Sequence, residues 1–145
     1  MDLPIKSILA PLITLIIVQS IKLATDRIKG NFNMKNILTA YGGMPSSHTA
    51  VVISLTTIVG YTAGIKSPIF AVALIFSLIV ITDALVLRGY IDHQGAAVAN
   101  LIRRLPADEQ KKFPYLYATK IKHTIPQVLI GAVIGFCIST IIHYL

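Results

Sequence analysis

Four long apolar runs, separated by polar or basic stretches, set the pattern of this chain: residues 3–23, 46–62, 68–88 and 125–145. A helix rises about 1.5 Å per residue, so roughly twenty residues cover the ~30 Å of a bilayer's hydrocarbon. Each run is therefore predicted to be a transmembrane helix. The turn from Gly60 to Pro68 is strong in glycine and proline, and Pro68 suits the first turn of the helix it opens. The first run is read as a span rather than a cleaved leader, because it is long and no clear small-residue cleavage site follows it. Residues 89–124 form a polar interfacial region, in which Ala96 to Arg104 has the pattern of a short amphipathic helix. The expectation is one all-α domain over residues 1–145. It is an integral membrane helical bundle of about four transmembrane helices plus a short interfacial helix.

Composition narrows the classes further. Hydrophobic residues make up 54% of the 145 and charged ones only 13%, with a mean hydropathy of +0.74, which excludes an ordinary small soluble domain. Thirteen Lys and Arg against six Asp and Glu leave a net charge of +7. In a membrane protein that excess points to the positive-inside pattern, to anionic headgroups or to phosphate ligands. No nucleic-acid-binding signature accompanies it. The single cysteine, Cys137, lies in the last apolar run, so an internal disulfide is excluded.

With four antiparallel spans, the end of the first and third and the start of the second and fourth fall on one side. That side carries Arg27, Lys29, Lys35, Arg88, Arg103, Arg104 and the lysines between 111 and 122, whereas the other has only Lys6 and Lys66. By the positive-inside rule the basic face is cytoplasmic and both termini lie outside, in a multi-pass protein of the cell membrane. Phosphate ligands would be basic too, and are the competing source of the asymmetry.

The candidate chemistry sits at those same ends. Gly42-Gly43-Met44-Pro45-Ser46-Ser47-His48-Thr49-Ala50 is a small polar cluster set against an apolar run. Its glycines let backbone approach a ligand, and Pro45 fits the first turn of a helix. Ser46 and Ser47 then offer hydroxyls and N–H groups at a helix N-terminus, an anion site to which His48 adds a proton donor or acceptor. The plain alternative is a capped helix with an incidental histidine. Asp83 inside an apolar helix needs a partner. Arg88, five residues on, is not on its face of an α-helix, so a cation from another helix is expected instead. Lys22, Lys29, Arg88, the serines and the histidines His48 and His123 together suit a phosphate group. His48, His93, His123 and His143 lack metal-ligand spacing; no metal or cofactor is expected, and His93 and His143 read as interfacial bystanders. Gly131 and Gly135 form a G-x-x-x-G pair that permits close helix contact, and a homodimer through that face is one arrangement it allows.

Pro45-Ser46-Ser47-His48 resembles the P-S-G-H motif of the type 2 phosphatidic acid phosphatase superfamily, which includes the vanadium haloperoxidases. The wider run from Gly42 to Ala50 looks like its small, divergent membrane branch. Asp83-Ala84 through Arg88, then Gln94 and Asn100, resemble that branch's D-A-x-G-V-R-R segment and the residues after it. His123-Thr124-Ile125-Pro126-Gln127 to Gly131 is similar to its G-H-T-P-x-E-V-x-x-G run, and Lys22 and Lys29 have the spacing of the superfamily's K-x6-R-P motif. The resemblance covers residues 22–135.

It implies a metal-independent phosphatase acting on a lipid phosphate or diphosphate, such as a phospholipid or a polyprenyl phosphate. His123 would attack phosphorus to give a phosphohistidine, and His48 would protonate the leaving alcohol. Lys22, Lys29 and Ser46, with the backbone around Ser47, would hold the phosphate. The sequence departs from the pattern at three places. Tyr117 stands where the third motif has an arginine, Gln127 replaces the acidic residue that orients the imidazole, and Val86 and Gly89 replace a glycine and a second arginine around Arg88. These departures define the rival expectation, a non-catalytic phospholipid-binding membrane protein that keeps the anion pocket. A vanadate-dependent haloperoxidase would share the pocket but matches a small membrane chain poorly.

Overall fold

The computed structural model describes residues 3–25, 44–113 and 122–145, and these are helical almost throughout. α1 is Leu3–Thr25, α2 is Ser47–Ala63 and α3 is Pro68–Thr82. A π-helical turn, Asp83–Leu87, joins α3 without a break to α4, Arg88–Ile102. The one-turn α5, Ala107–Gln110, follows, and α6 is Ile125–Tyr144. Among the described residues three helical stretches are long and apolar enough to cross a membrane: Ile5–Lys22, Pro68–Ile102 and Ile125–Tyr144. The protein is an all-α membrane helical bundle.

Two elements differ from the hydrophobic reading. The short helix expected from Ala96 to Arg104 is the continuation of a helical run that begins at Pro68 and extends 35 residues. No proline or glycine pair interrupts residues 83–95, so the backbone ladder survives the change from apolar to polar sequence. α2, at 17 residues, covers about 26 Å, less than α1, α6 or the continuous run from Pro68 to Ile102.

α2 is nevertheless the centre of the bundle, packed against α1, α3 and α6. Its composition explains the position. Ser, Thr, Ala and Gly are frequent in it, and buried residues lie on more than one face: Ala50, Ser54 and Ile58, but also Val52, Thr56 and Val59. The outer helices are sided the opposite way from those of a soluble protein. Ile16 on α1, Val72 on α3 and Val133 on α6 are between 62 and 68% exposed, while Thr14, Ser54 and Ser139 are fully buried. Apolar side chains outward and hydroxyls inward is the arrangement expected where the solvent is hydrocarbon and every polar group must be satisfied internally.

The buried hydroxyls are so satisfied. Thr14 Oγ1 donates to Ser54 Oγ at 3.0 Å, Ser54 Oγ lies 2.6 Å from Ser139 Oγ, and Ser139 Oγ donates to the Ser54 carbonyl at 2.9 Å. That links α1, α2 and α6. On the other face of α2, Thr56 and Ser77 meet at 2.6 Å and each reaches the carbonyls of Val52 and Ala73, linking α2 to α3.

The closest approach is between α2 and α6, and it needs glycine. A Cβ at Gly131 would lie 2.5 Å from the Ser46 carbonyl oxygen, and one at Gly135 would run deeper into the Ala50 carbonyl. The G-x-x-x-G face offered by the sequence as a homodimer surface is thus filled from within the chain. Gly135→Ala should force the two helices apart, at about 1–3 kcal/mol for an overpacked contact. Thermal unfolding in detergent is expected several degrees lower than wild type, with Val133→Ala, on the exposed side, unchanged. Equal melting of Gly135→Ala and wild type would contradict the packing described.

Candidate functional site

The N-termini of α2 and α6 lie side by side. Ser46, in extended backbone (φ −71°, ψ 108°), caps α2: its Oγ accepts from the Thr49 N–H at 3.5 Å and lies 3.0 Å from Thr49 Oγ1. Because the cap position requires extended backbone, Pro45 precedes the helix rather than occupying its first turn as the sequence suggests. The Ser46 N–H donates to the Gln127 carbonyl of α6 at 3.1 Å. Ser47 Oγ donates to Gln19 Oε1 of α1 at 3.3 Å, one turn before Lys22. The N–H groups of Ser47 and His48 fall in the first turn, where a helix supplies no acceptor of its own.

α6 opens with a capping box. Thr124, at φ −87° and ψ 158°, is the cap, and its N–H donates to Gln127 Oε1 at 2.8 Å. The signal T-x-x-Q was present in the sequence and is a capping-box pattern. The same Oε1 lies 3.4 Å from His123 Nδ1. Since the Thr124 N–H can only donate, the oxygen of Gln127 faces it. A ring nitrogen meeting that oxygen must donate too, which places the His123 proton on Nδ1 and the lone pair on Nε2.

His123 is 2% exposed, and its backbone N–H donates to the Ala84 carbonyl at 3.2 Å. Burial holds its imidazole below the ordinary 6.5; the Gln127 contact opposes this, and the charges of Arg88, Lys22 and His48 add to it. The ring is therefore neutral at pH 7. Lys22, 3% exposed in the last turn of α1, belongs to this same electrostatic neighbourhood.

Arg88 and Asp83 require a correction. The sequence reading sets them on different faces and looks to another helix for the partner of Asp83, yet Arg88 Nε meets Asp83 Oδ2 at 3.0 Å. The π-helical turn is the reason. Its i→i+5 hydrogen bond, from the Arg88 N–H to the Asp83 carbonyl, brings residues five apart into register. Both line an open groove of about 590 Å³ with His48 and Thr82, while Leu78 and Ile79 continue its wall along α3.

The structure thus brings together His123, His48, Lys22, Ser46, Ser47, Gln127, Arg88 and Asp83. Lys29 and Tyr117 lie outside the described residues. Among the described residues no three His, Cys, Asp or Glu gather as a metal-ligand set. His93 is exposed on α4. His143, read as a bystander, instead stacks on Tyr61 with ring centroids 4.5 Å apart at the other end of α6, and its carbonyl accepts from Lys6 Nζ at 2.8 Å. Sequence reasoning missed the Ala84 carbonyl and the π-turn, which no residue type announces.

The chain has a relative and a family among known proteins. YuiD of Bacillus subtilis (strain 168), described as an uncharacterized membrane protein, is 30% identical over 147 residues, covering 94% of this chain and 93% of its own length. No solved structure matches the chain. A family profile described as the divergent PAP2 family matches residues 4–138, and by that extent the chain belongs to the divergent PAP2 family.

Proposed function

We propose that this membrane protein hydrolyses a phosphate monoester or diphosphate carried by a lipid, without a metal, through a phosphohistidine on His123. One observation carries the reading. His48 and Arg88 line a groove whose further wall is apolar, and His123 and Lys22, at the adjacent helix ends, lie within electrostatic reach of them. A lipid headgroup reaches such a site laterally, with its tails left in the hydrocarbon.

His123 Nε2, held neutral and bearing the lone pair, attacks phosphorus. The bond to the lipid oxygen breaks, and His48, which is exposed toward the groove, gives that oxygen a proton. Water then attacks the phosphohistidine, His48 takes its proton back, and phosphate leaves with Nε2 restored. Positioning and charge stabilisation account for most catalysis of phosphoryl transfer. Lys22, Arg88 and the first-turn N–H groups of Ser47 and His48 supply it, Ser46 shapes that helix end, and Lys29 joins them on sequence grounds alone. The basic face is assigned to the cytoplasm.

A second reading rests on Gln127. Its oxygen is committed to Thr124 at 2.8 Å and is longer, at 3.4 Å, to His123, and an amide cannot stabilise an imidazolium as a carboxylate does. A protein that binds lipid phosphates without turning them over is consistent with that weaker support.

Phosphate release from the purified protein with EDTA present separates the two. Phosphatidic acid, phosphatidylglycerophosphate and a polyprenyl diphosphate are the substrates to offer. Release is expected to survive EDTA and to fall at least about 10³-fold in a folded His123→Ala variant. Binding of these lipids with no release from any of them would establish the second reading. Gln127→Glu keeps the capping box and adds a charge behind the ring, so a gain of up to about tenfold in kcat is expected. Unchanged or lower kcat would mean that the ring is oriented by something else.

The pH profile follows from His123. Because its folded-state affinity for a proton is depressed, the acid limb of kcat/KM is expected below the ordinary 6.5. By linkage the neutral ring's contribution to stability is fully present above 6.5 and is lost as pH falls toward the depressed value. An acid limb centred at or above 6.5 would contradict the environment described for this group.

A further inference from the structure

The π-helical turn at Asp83–Leu87 is the one break in an otherwise continuous 35-residue helical run, and the chemistry above makes no use of it. A regular α-helix here would give the Arg88 N–H to the Ala84 carbonyl and place residues 83 and 88 about 140° apart. In the observed turn that N–H goes to Asp83 instead, and the Ala84 carbonyl accepts from the backbone of His123 at 3.2 Å. The same turn swings the Arg88 side chain onto Asp83. Among the described residues the ion pair engages Nε alone. The terminal guanidinium groups carry four further N–H donors, and Arg88 lines the groove beside His48.

We propose that this turn is the positioning element of the site. It brings Arg88 onto Asp83 and so aims it at an anion in the groove, and it leaves the Ala84 carbonyl to hold the His123 backbone in place. Arg88 is then the anion-binding cation, and Asp83 is a positioning residue that acts through it. The ligand class rests on the phosphate reading above; the geometry does not.

Deleting Val86, whose side chain is exposed, returns the segment to α-helical register: Arg88 stays on the face of Asp83, while the Ala84 carbonyl is taken up by the helix's own ladder and lost to His123. Val86→Ala keeps the register and is the control. Asp83→Asn keeps the turn and releases Arg88. Three readouts are taken in detergent: phosphate release, binding of phosphatidic acid in mixed micelles, and the NMR titration of the His123 imidazole.

In a folded deletion variant, turnover should fall about 100-fold, the loss typical of a displaced reacting group. The His123 titration should move up toward the ordinary imidazole value as the ring, no longer held at Ala84, loses its burial. Asp83→Asn should weaken phosphatidic acid binding and raise KM about tenfold with a smaller change in kcat, whereas a merely structural ion pair would lower the melting temperature and leave KM alone. Val86→Ala should match wild type throughout.

An unchanged His123 titration in the folded deletion variant overturns the proposal whether or not the protein hydrolyses lipid. If that variant does not fold, unchanged phosphatidic acid binding by Asp83→Asn overturns it. A shifted titration and weakened binding in a protein without turnover would refute the phosphatase reading and leave this inference standing.

Discussion

The contact on which the rest depends is backbone against backbone, where Gly131 and Gly135 of α6 meet the Ser46 and Ala50 carbonyls of α2. Within a bilayer there is little hydrophobic reward for one helix to join another, since lipid tails are as apolar as leucine. Close packing and interhelical hydrogen bonds must supply the association. Two missing side chains allow the first, and the bond from the Ser46 N–H to the Gln127 carbonyl supplies part of the second. The result fixes two helix N-termini side by side, with His48 in the first turn of one and His123 just ahead of the other. Adjacent N-termini concentrate positive potential, and Lys22 and Arg88 add to it.

The rest of the bundle protects that arrangement. Ser54 with Thr14 and Ser139, and Thr56 with Ser77, tie α2 to three neighbours through hydroxyls hidden from lipid. Their hydrogen bonds are directional, so they set the rotation of each helix where leucine packing alone would not. The groove then opens beside α3, whose outward surface is apolar, while the polar end of the site sits at the helix termini. A polar cluster at an edge between water and hydrocarbon follows from where the helices end.

Much of this was legible in the residues. Unbroken apolar runs disclosed the helices, and the alternation of their direction put Lys22, Ser46, His48, Asp83, Arg88 and His123 at one end before any geometry was known. What escaped was whatever depends on departures from ideal periodicity. At 100° per residue Arg88 falls on a different face from Asp83, and the π-turn that joins them leaves no compositional trace. The run from Pro68 to Ile102 was divided because hydropathy changes near Arg88, although backbone hydrogen bonding does not. The direction in which Gly131 and Gly135 face could not be read either, since a G-x-x-x-G pair says only that something comes close.

The central claim is that His123 becomes covalently phosphorylated. Its most direct test is a rapid alkaline quench of the protein during reaction with phosphorus-labelled phosphatidic acid or polyprenyl diphosphate, followed by mapping of the label. The account predicts a phosphorylated histidine in the peptide containing His123, stable to base and lost in acid. Turnover with no label on protein, or label on a serine such as Ser46 or Ser47, would contradict it.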